Sequence, residues 1–114
     1  MSDTNLVIYG RSVGCQACLA TDRALATTGL QDLAETIDKF YVDQDDDYAQ
    51  EARQWAADLE LRQEAPLVLV YRNAEELVDV WTGYRPDKLK ALAAELTRED
   101  TARKAALEFV EAAQ

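Results

Sequence analysis

Short apolar runs along the chain predict four strands. They cover residues 5–9, 39–42, 67–71 and 77–81, and each contains β-branched or aromatic side chains. Runs of this length with turn residues at their ends are typical of strands, and the run at 67–71 is apolar enough for a central strand. Residues 72–76 predict a turn, so the last two strands are expected to form a hairpin.

Apolar residues at helical spacing fill the segments between these strands. From Gln16 the apolar positions recur with the period of a helix, and Gly29 favours a stop. The same period continues from Leu30 to Ile37, which predicts one or two further helical turns. A second helix is predicted from about residue 48 to residue 61.

The C-terminal part of the chain predicts two consecutive helices. The first starts near Pro86 and directs its apolar residues inward, namely Leu89, Leu92, Ala93 and Leu96. Thr97 and Asp100 have the spacing of a capping box, which predicts a new helix that runs to about residue 113. We therefore predict one domain of residues 1–97 and a helical extension of the same domain at residues 98–114.

The two cysteines of the chain, Cys15 and Cys18, follow the first predicted strand and its loop, where the first helix begins. The reactive species of a cysteine is the thiolate, and free amides and the positive dipole end at a helix N-terminus stabilise it. The two intervening residues place the second sulfur about one turn further on, within reach of a disulfide. The pattern predicts dithiol–disulfide chemistry; the alternative is a buried pair of small apolar residues.

The charge of the chain excludes some classes of partner. Its 22 acidic and 12 basic residues give a formal net charge of -10. Phosphate binding needs clustered Lys and Arg, so nucleic acid and anionic membrane surfaces are not expected partners. A neutral or basic partner surface fits this charge better, and solubility alone is the alternative explanation.

The N-terminal residues and the residue types present bear on the compartment and on metals. A polar start and a short apolar run are too short for an export signal or a membrane span, which predicts a reducing cytoplasm and catalytic rather than structural cysteines. With no His and only two Cys, a four-ligand zinc site of Cys and His is excluded. The acidic run at 43–47 is interpreted as a solvated loop and helix N-terminus rather than a calcium site. No metal and no cofactor are expected.

Three motifs together resemble the NrdH-redoxins over about residues 5–96. These motifs are the cysteine pair after the first strand, Ala65-Pro66 before the third, and Trp81-Thr82-Gly83-Tyr84-Arg85-Pro86-Asp87 before the C-terminal helix. NrdH-redoxins are glutaredoxin-like thiol proteins that reduce class Ib ribonucleotide reductase and take electrons from thioredoxin reductase rather than glutathione. The resemblance implies an α/β thioredoxin-like fold, with a four-stranded mixed sheet in the order β-α-β-α-β-β-α and an additional C-terminal helix.

The resemblance also implies roles for residues near the cysteines. Cys15, nearer the helix start, is the expected nucleophile, and Cys18 is the resolving thiol. Arg11 is a candidate for added positive charge, although an ordinary solvated loop arginine is an equal alternative. The Ala65–Pro66 bond is expected to be cis and to face the cysteines, where a substrate peptide would dock.

The segment before the C-terminal helix has two interpretations. Trp81 belongs either to the core or to a partner surface. In the family, the matching residues form a network in the space that glutathione uses in glutaredoxins, and this role is implied for Trp81, Gly83, Arg85 and Pro86. The alternative is that Arg85, Pro86 and Asp87 simply start the helix.

We therefore expect a cytoplasmic, monomeric thiol–disulfide oxidoreductase. The expected partners are thioredoxin reductase and a disulfide-containing protein such as class Ib ribonucleotide reductase. A glutathione-dependent glutaredoxin is the alternative in the same class, and a non-catalytic binding module with this fold is the alternative in another. Iron–sulfur ligation shared between two chains is a further, less favoured alternative.

Overall fold

The computed structural model describes residues 3–113, so Met1, Ser2 and Gln114 of the predicted terminal segments lie outside the described residues. The strands are β1 (Thr4–Gly10), β2 (Thr36–Tyr41), β3 (Leu67–Arg72) and β4 (Glu76–Thr82). The helices are α1 (Gln16–Thr27), α2 (Leu30–Leu33), α3 (Asp46–Asp58) and α4 (Pro86–Ala112).

The four strands form one mixed sheet in the order β2-β1-β3-β4. β1 and β2 are parallel, because the helical connection between them is long enough for a crossover. β3 pairs antiparallel with both β1 and β4, and the short turn between β3 and β4 makes the predicted hairpin. The α/β thioredoxin-like arrangement expected from the element order is therefore confirmed.

Successive side chains of the central strands lie alternately in two apolar layers, one on each face of the sheet. Leu6 and Ile8 of β1 point to the layer under α1, α2 and α4, whereas Val7 and Tyr9 point to the layer under α3. The first layer also contains Ala24, Leu25, Leu30, Ala34, Val68, Val70, Trp81, Leu89, Ala93 and Leu96. Because a strand exposes successive residues to opposite faces, a sheet covered on both sides needs continuous apolar strands, as β1 and β3 are.

The segment after Gly29 differs from its predicted form. The helical period was expected to continue to Ile37, but α2 ends at Leu33 and Ile37 lies in β2, opposite Leu6. Leu33 and Ile37 both pack against the first apolar layer, so the same spacing serves a short helix followed by a strand. The predicted strand therefore starts three residues earlier, at Thr36.

The acidic run caps α3, in agreement with its interpretation as loop and helix N-terminus. Asp45 is the N-cap, and its side chain accepts a hydrogen bond of 2.9 Å from the Asp47 N–H. Asp46 and Asp47 lie in the first turn, where negative charge is favourable. The helix consequently starts two residues before the predicted position.

The C-terminal extension is helical, as predicted, but it is not a separate helix. α4 runs without a break from Pro86 to Ala112. Thr97 is not an N-cap: its hydroxyl donates to the carbonyl of Ala93 at 2.7 Å, and Asp100 pairs with Lys104 at 3.2 Å. No Gly or Pro interrupts this stretch, so nothing in the backbone ends the first helix at the predicted boundary.

An arginine at the end of β3 holds the first half of α4 on the sheet. Arg72 pairs with Glu99, with Asp3 at 2.7 Å and with Glu95 at 3.2 Å. The hydrogen bond to Glu99 is the main cause that raises the pKa of Arg72 above its ordinary value. Beyond this cluster the helix leaves the apolar layer, and Phe109 is 75% exposed. Within residues 3–113, no helix combines the length and apolar character needed to cross a membrane.

The continuity of α4 predicts the effect of Thr97→Ala. At an exposed position inside a helix, alanine should leave stability unchanged or raise it by up to about 0.5 kcal/mol, whereas loss of an N-cap would cost about 1 kcal/mol. Urea unfolding followed by circular dichroism measures the difference. Thr101→Ala, one turn further along, is the matched control and should behave alike. A loss of about 1 kcal/mol for Thr97→Ala alone would contradict a continuous helix.

Candidate active site

The strand register brings three loops to one end of the sheet. Tyr9 at the end of β1 lies opposite Leu67 at the start of β3, and Leu67 lies opposite Thr82 at the end of β4. The loop before Cys15, the loop with Pro66 and the segment after Thr82 therefore meet there. These are the three segments that carry the motifs found in the sequence.

The cysteines form a disulfide at the start of α1. Cys15 is the N-cap, with extended backbone, and Cys18 lies in the first turn, with Cα atoms 5.3 Å apart. The Cys18 N–H donates to Sγ of Cys15 at 3.1 Å. A free amide of the first turn thus points at the sulfur nearer the helix end, as thiolate stabilisation requires.

The two sulfurs have different surroundings. Cys15 lines a surface groove of about 530 Å³, but Cys18 does not. Sγ of Cys18 instead accepts a 3.4 Å hydrogen bond from the Arg11 N–H. A Cβ on Gly10 would lie 3.6 Å from that same sulfur, so the end of β1 packs directly against it. Cys15 therefore faces incoming molecules, and Cys18 lies behind it.

The proline loop adjoins Cys15, as expected. The Ala65–Pro66 bond is cis, and the carbonyl oxygen of Ala65 lies 4.0 Å from Sγ of Cys15. Within residues 3–113, the N–H and C=O of Ala65 make no hydrogen bond to the backbone. Pro66 is buried, and its carbonyl accepts a 2.8 Å hydrogen bond from the Gly83 N–H. Ala65 thus offers free backbone groups beside the disulfide.

The segment from Trp81 to Asp87 does not form one cluster at the disulfide. Trp81 is 3% exposed and belongs to the core, and the described residues provide no hydrogen-bond partner for its Nε1. Gly83, at a φ of 80°, joins the segment to the proline loop. Arg85 pairs with Asp87 at 2.7 Å and lines a separate cleft, while Pro86 is the first residue of α4.

The Arg85–Asp87 pair and Gly83 stiffen this segment in different ways. The hydrogen bonds from Arg85 are the main cause that lowers the pKa of Asp87 to about 2. A Cβ on Gly83 would lie 2.6 Å from Oε1 of Glu64, so a larger residue would displace that side chain in addition to adopting an unfavourable φ. The segment and the proline loop therefore hold each other in place.

The groove beside Cys15 runs between the cysteine loop, α3 and the proline loop. Its lining includes Tyr9, Arg11, Gly14, Ala49, Ala52, Arg53, Ala56, Gln63, Glu64 and Ala65. Tyr9 donates a 3.0 Å hydrogen bond to Glu51 of α3, and burial followed by this bond raises the pKa of Tyr9 to about 12. Gln63 donates to the backbone carbonyl of Arg53 at 3.1 Å. These two contacts tie the end of β1 and the segment before the proline loop to α3.

Asp43 is a site residue that the sequence interpretation missed, because it was assigned to a solvated acidic run. Its carboxylate accepts hydrogen bonds of 3.0 and 2.8 Å from the N–H and hydroxyl of Ser12, and one of 3.3 Å from the Val13 N–H. The bond from the Ser12 amide is the main cause that lowers the pKa of Asp43. Its place directly after the second predicted strand was the available signal, since that strand end adjoins the cysteine loop.

The described part of the chain contains no group of three or more His, Cys, Asp or Glu side chains placed to hold a metal ion. The polar and sulfur groups that meet here are instead a disulfide, the two amides that donate to its sulfurs, and the N–H and C=O of Ala65, which make no hydrogen bond to the backbone. Such an arrangement supports sulfur exchange with a docked peptide.

Removal of the Asp43 carboxylate should release the cysteine loop. In Asp43→Ala, the amides of Ser12 and Val13 should lose their hydrogen-bonded chemical shifts and exchange faster with solvent, which NMR measures directly. In the unmodified protein the folded pKa lies below the ordinary value of about 3.9. The contact is therefore complete above pH 3.9 and lost as pH falls through the lower folded pKa. Asp46→Ala, which is exposed at the start of α3, is the control; unchanged loop amides in Asp43→Ala would contradict this contact.

Comparison with known proteins identifies the fold. No protein-family model and no curated protein sequence matches the chain. Among solved structures, thioredoxin from Fasciola hepatica matches with a TM-score of 0.55 and 17% identity over 82% of this chain and 81% of that chain. Thioredoxin f2 from Chlamydomonas reinhardtii matches with 0.53 and 19% over 83% and 80%, and mitochondrial thioredoxin 3 from Saccharomyces cerevisiae with 0.54 and 18% over 83% and 80%. With these structures and its own sheet topology, the chain has the thioredoxin fold.

Proposed function

We propose that the protein is a thiol–disulfide oxidoreductase. The observation that carries this proposal is the Cys15–Cys18 disulfide at the N-terminus of α1, with Cys15 open to a groove and beside the free backbone of Ala65. Structural disulfides have no need of such access, whereas exchange requires that an attacking or leaving sulfur be reached by another molecule.

The reaction follows from the positions of the two sulfurs. In the reduced protein, the Cys15 thiolate attacks one sulfur of a partner disulfide, and the other partner sulfur leaves as a thiolate that takes up a proton. The Cys18 thiol then loses its proton and attacks Sγ of Cys15 in the mixed disulfide. The partner leaves as a dithiol, and the protein retains the two-electron oxidised form seen in the structure.

Backbone groups support both steps. The Cys18 N–H, 3.1 Å from Sγ of Cys15, stabilises negative charge on that sulfur when it attacks the partner disulfide. The Arg11 N–H does the same for Cys18 when that thiolate attacks Sγ of Cys15. The free N–H and C=O of Ala65 pair with an extended segment of the partner and align its disulfide with Cys15.

The finer proposal is an NrdH-redoxin-like electron carrier of the cytoplasm. It receives electrons from NADPH through thioredoxin reductase and delivers them to a protein disulfide such as that of class Ib ribonucleotide reductase. The Trp81–Asp87 motif supports this proposal. The Gly83–Pro66 hydrogen bond and the Arg85–Asp87 pair keep that segment closed against the proline loop and α4.

The roles of the cysteines predict different behaviour of two variants. Cys18→Ser should accumulate a mixed disulfide with a partner, because Cys15 still attacks but nothing releases it. Cys15→Ser should form none. Non-reducing gels and mass spectrometry after mixing with an oxidised partner measure the adduct. Near neutral pH, iodoacetamide should alkylate Cys15 of the reduced protein first; faster labelling of Cys18 would reverse the assignment.

The reductant can be tested with both recycling systems side by side. We expect insulin reduction with NADPH and thioredoxin reductase, and little turnover with glutathione and glutathione reductase. Arg85→Ala should lower efficiency with thioredoxin reductase, and Lys90→Ala, an exposed residue of α4, should not. Trp81→Ala is unsuitable here, because truncation of a buried Trp costs about 3–5 kcal/mol.

The two recycling assays also separate the alternatives. Robust turnover of the unmodified protein with glutathione would contradict the NrdH-like proposal and favour a glutaredoxin. Absence of turnover with both systems, while the thiols titrate as free and reactive, would contradict catalysis and favour a binding module.

A further inference from the structure

The groove beside Cys15 carries a charge opposite to that of the whole protein. Its charged lining residues are Arg11, Arg53 and Glu64, which give it a local excess of positive charge in a chain of net charge -10. Such an excess at one site draws oppositely charged groups to that site, even when the overall charge has the other sign.

Both groove arginines are without a partner. Neither guanidinium forms a hydrogen bond or ion pair with any residue between 3 and 113, although the chain has 22 acidic residues. Among the other arginines between residues 3 and 113, Arg72 and Arg85 are paired with carboxylates, whereas Arg23, Arg62, Arg98 and Arg103 form no ion pair there. Two unpaired arginines in one groove leave their donors available to a ligand.

The acidic groups that adjoin the groove are engaged with neutral donors instead. Glu51 accepts from the Tyr9 hydroxyl at 3.0 Å, and Asp43 accepts from the backbone and side chain of Ser12. Glu64 lines the groove without an ion pair to either arginine. Pairing of Arg11 or Arg53 with Asp43 or Glu51 would therefore require giving up existing contacts.

Both arginines line the same groove as Cys15. Arg11 lies in the loop before Cys15, and Arg53 lies on α3, which also contributes the small side chains of Ala49, Ala52 and Ala56 to the lining. The hydrogen bond from Gln63 to the Arg53 carbonyl ties this part of α3 to the segment before the proline loop. Ala65 belongs to the same lining, so a segment that docks there enters a groove that holds two cationic side chains.

We propose that the groove selects partner segments that carry aspartate or glutamate next to the disulfide. The inference rests on the proposed oxidoreductase function and adds the chemical class of its substrate. Guanidinium and carboxylate form charge-assisted, often bidentate hydrogen bonds, which also fix the orientation of the bound segment. Because charges more than about 8–10 Å apart are screened at physiological salt, the acidic remainder of the chain opposes such a segment only weakly.

Reduction of matched peptides tests the proposal. Three peptides with one intramolecular disulfide, flanked by Glu, Gln or Lys, are offered to the pre-reduced protein, and the rate constants are measured by chromatography of quenched samples. We expect the Glu peptide to react fastest and the Lys peptide slowest. Arg11→Gln and Arg53→Gln should each lower the ratio of the Glu rate to the Gln rate about two- to fivefold, as loss of an exposed ion pair does.

Two further variants test the direction of the expected effect and provide a control. Glu64→Gln should raise the same ratio, because it removes the one negative charge of the groove lining. Arg98→Gln, on the exposed face of α4, removes an equal charge elsewhere and should leave the ratio unchanged. When the assay is repeated at about 0.5 M salt, the rate constants of the three peptides should differ less, since screening shortens the range of the interaction.

The outcomes separate failure of this inference from failure of the proposed function. Equal rates for the three peptides, or equal effects of Arg53→Gln and Arg98→Gln, overturn the acidic preference and leave oxidoreductase activity intact. No reduction of any peptide by protein with two free thiols overturns the proposed function and this inference with it. Oxidised glutathione is the comparison substrate. If it is reduced faster than the Glu peptide, the arginines bind a free tripeptide rather than a protein segment, and the proposed preference is overturned.

Discussion

The antiparallel pairing of β1 with β3 sets Tyr9 opposite Leu67, and every part of the site takes its position from that register. The cysteine loop continues from one strand, and the proline loop leads into the other, so both loops end at the same edge. A slip of one residue would exchange the two faces of a strand. Leu6, Val68 and Val70 are each at most 1% exposed, and a slip would put side chains of a different size into their closely packed positions, which holds the register.

Around this frame, the two sulfurs acquire different surroundings through backbone contacts rather than through charged side chains. The first turn of α1 supplies an amide to Cys15, and the end of β1 supplies an amide to Cys18. Asp43 in turn fixes the connecting loop by accepting from Ser12 and Val13. The loop is exposed, yet its conformation is determined by a carboxylate contributed from the end of the neighbouring strand.

Charge is distributed unevenly over the protein, and this matters for its partners. The formal net charge of -10 produces a long-range field that repels anions. Close to the disulfide, however, the unpaired Arg11 and Arg53 outnumber Glu64. The groove therefore favours negatively charged groups, whereas the chain as a whole favours positively charged ones. In the proposed selection, short-range pairing with these arginines would act on the segment next to the partner's disulfide, while the long-range field would act on the partner as a whole.

The sequence by itself determined the strands, the cysteine helix and the proline loop, because apolar periodicity, Gly and Pro report local backbone preferences and burial. It wrongly predicted Ile37 in a helix and Thr97 as a helix N-cap. The same spacing of side chains fits both a helix and a turn followed by a strand, and both a helix start and a helix interior. Only strand pairing and helix packing select between these backbones. Only the tertiary structure placed Trp81 in the core, Asp43 on the cysteine loop and Arg53 in the groove with Arg11. These contacts join residues far apart in the chain, and long-range contacts depend on the sheet register, which no local pattern encodes.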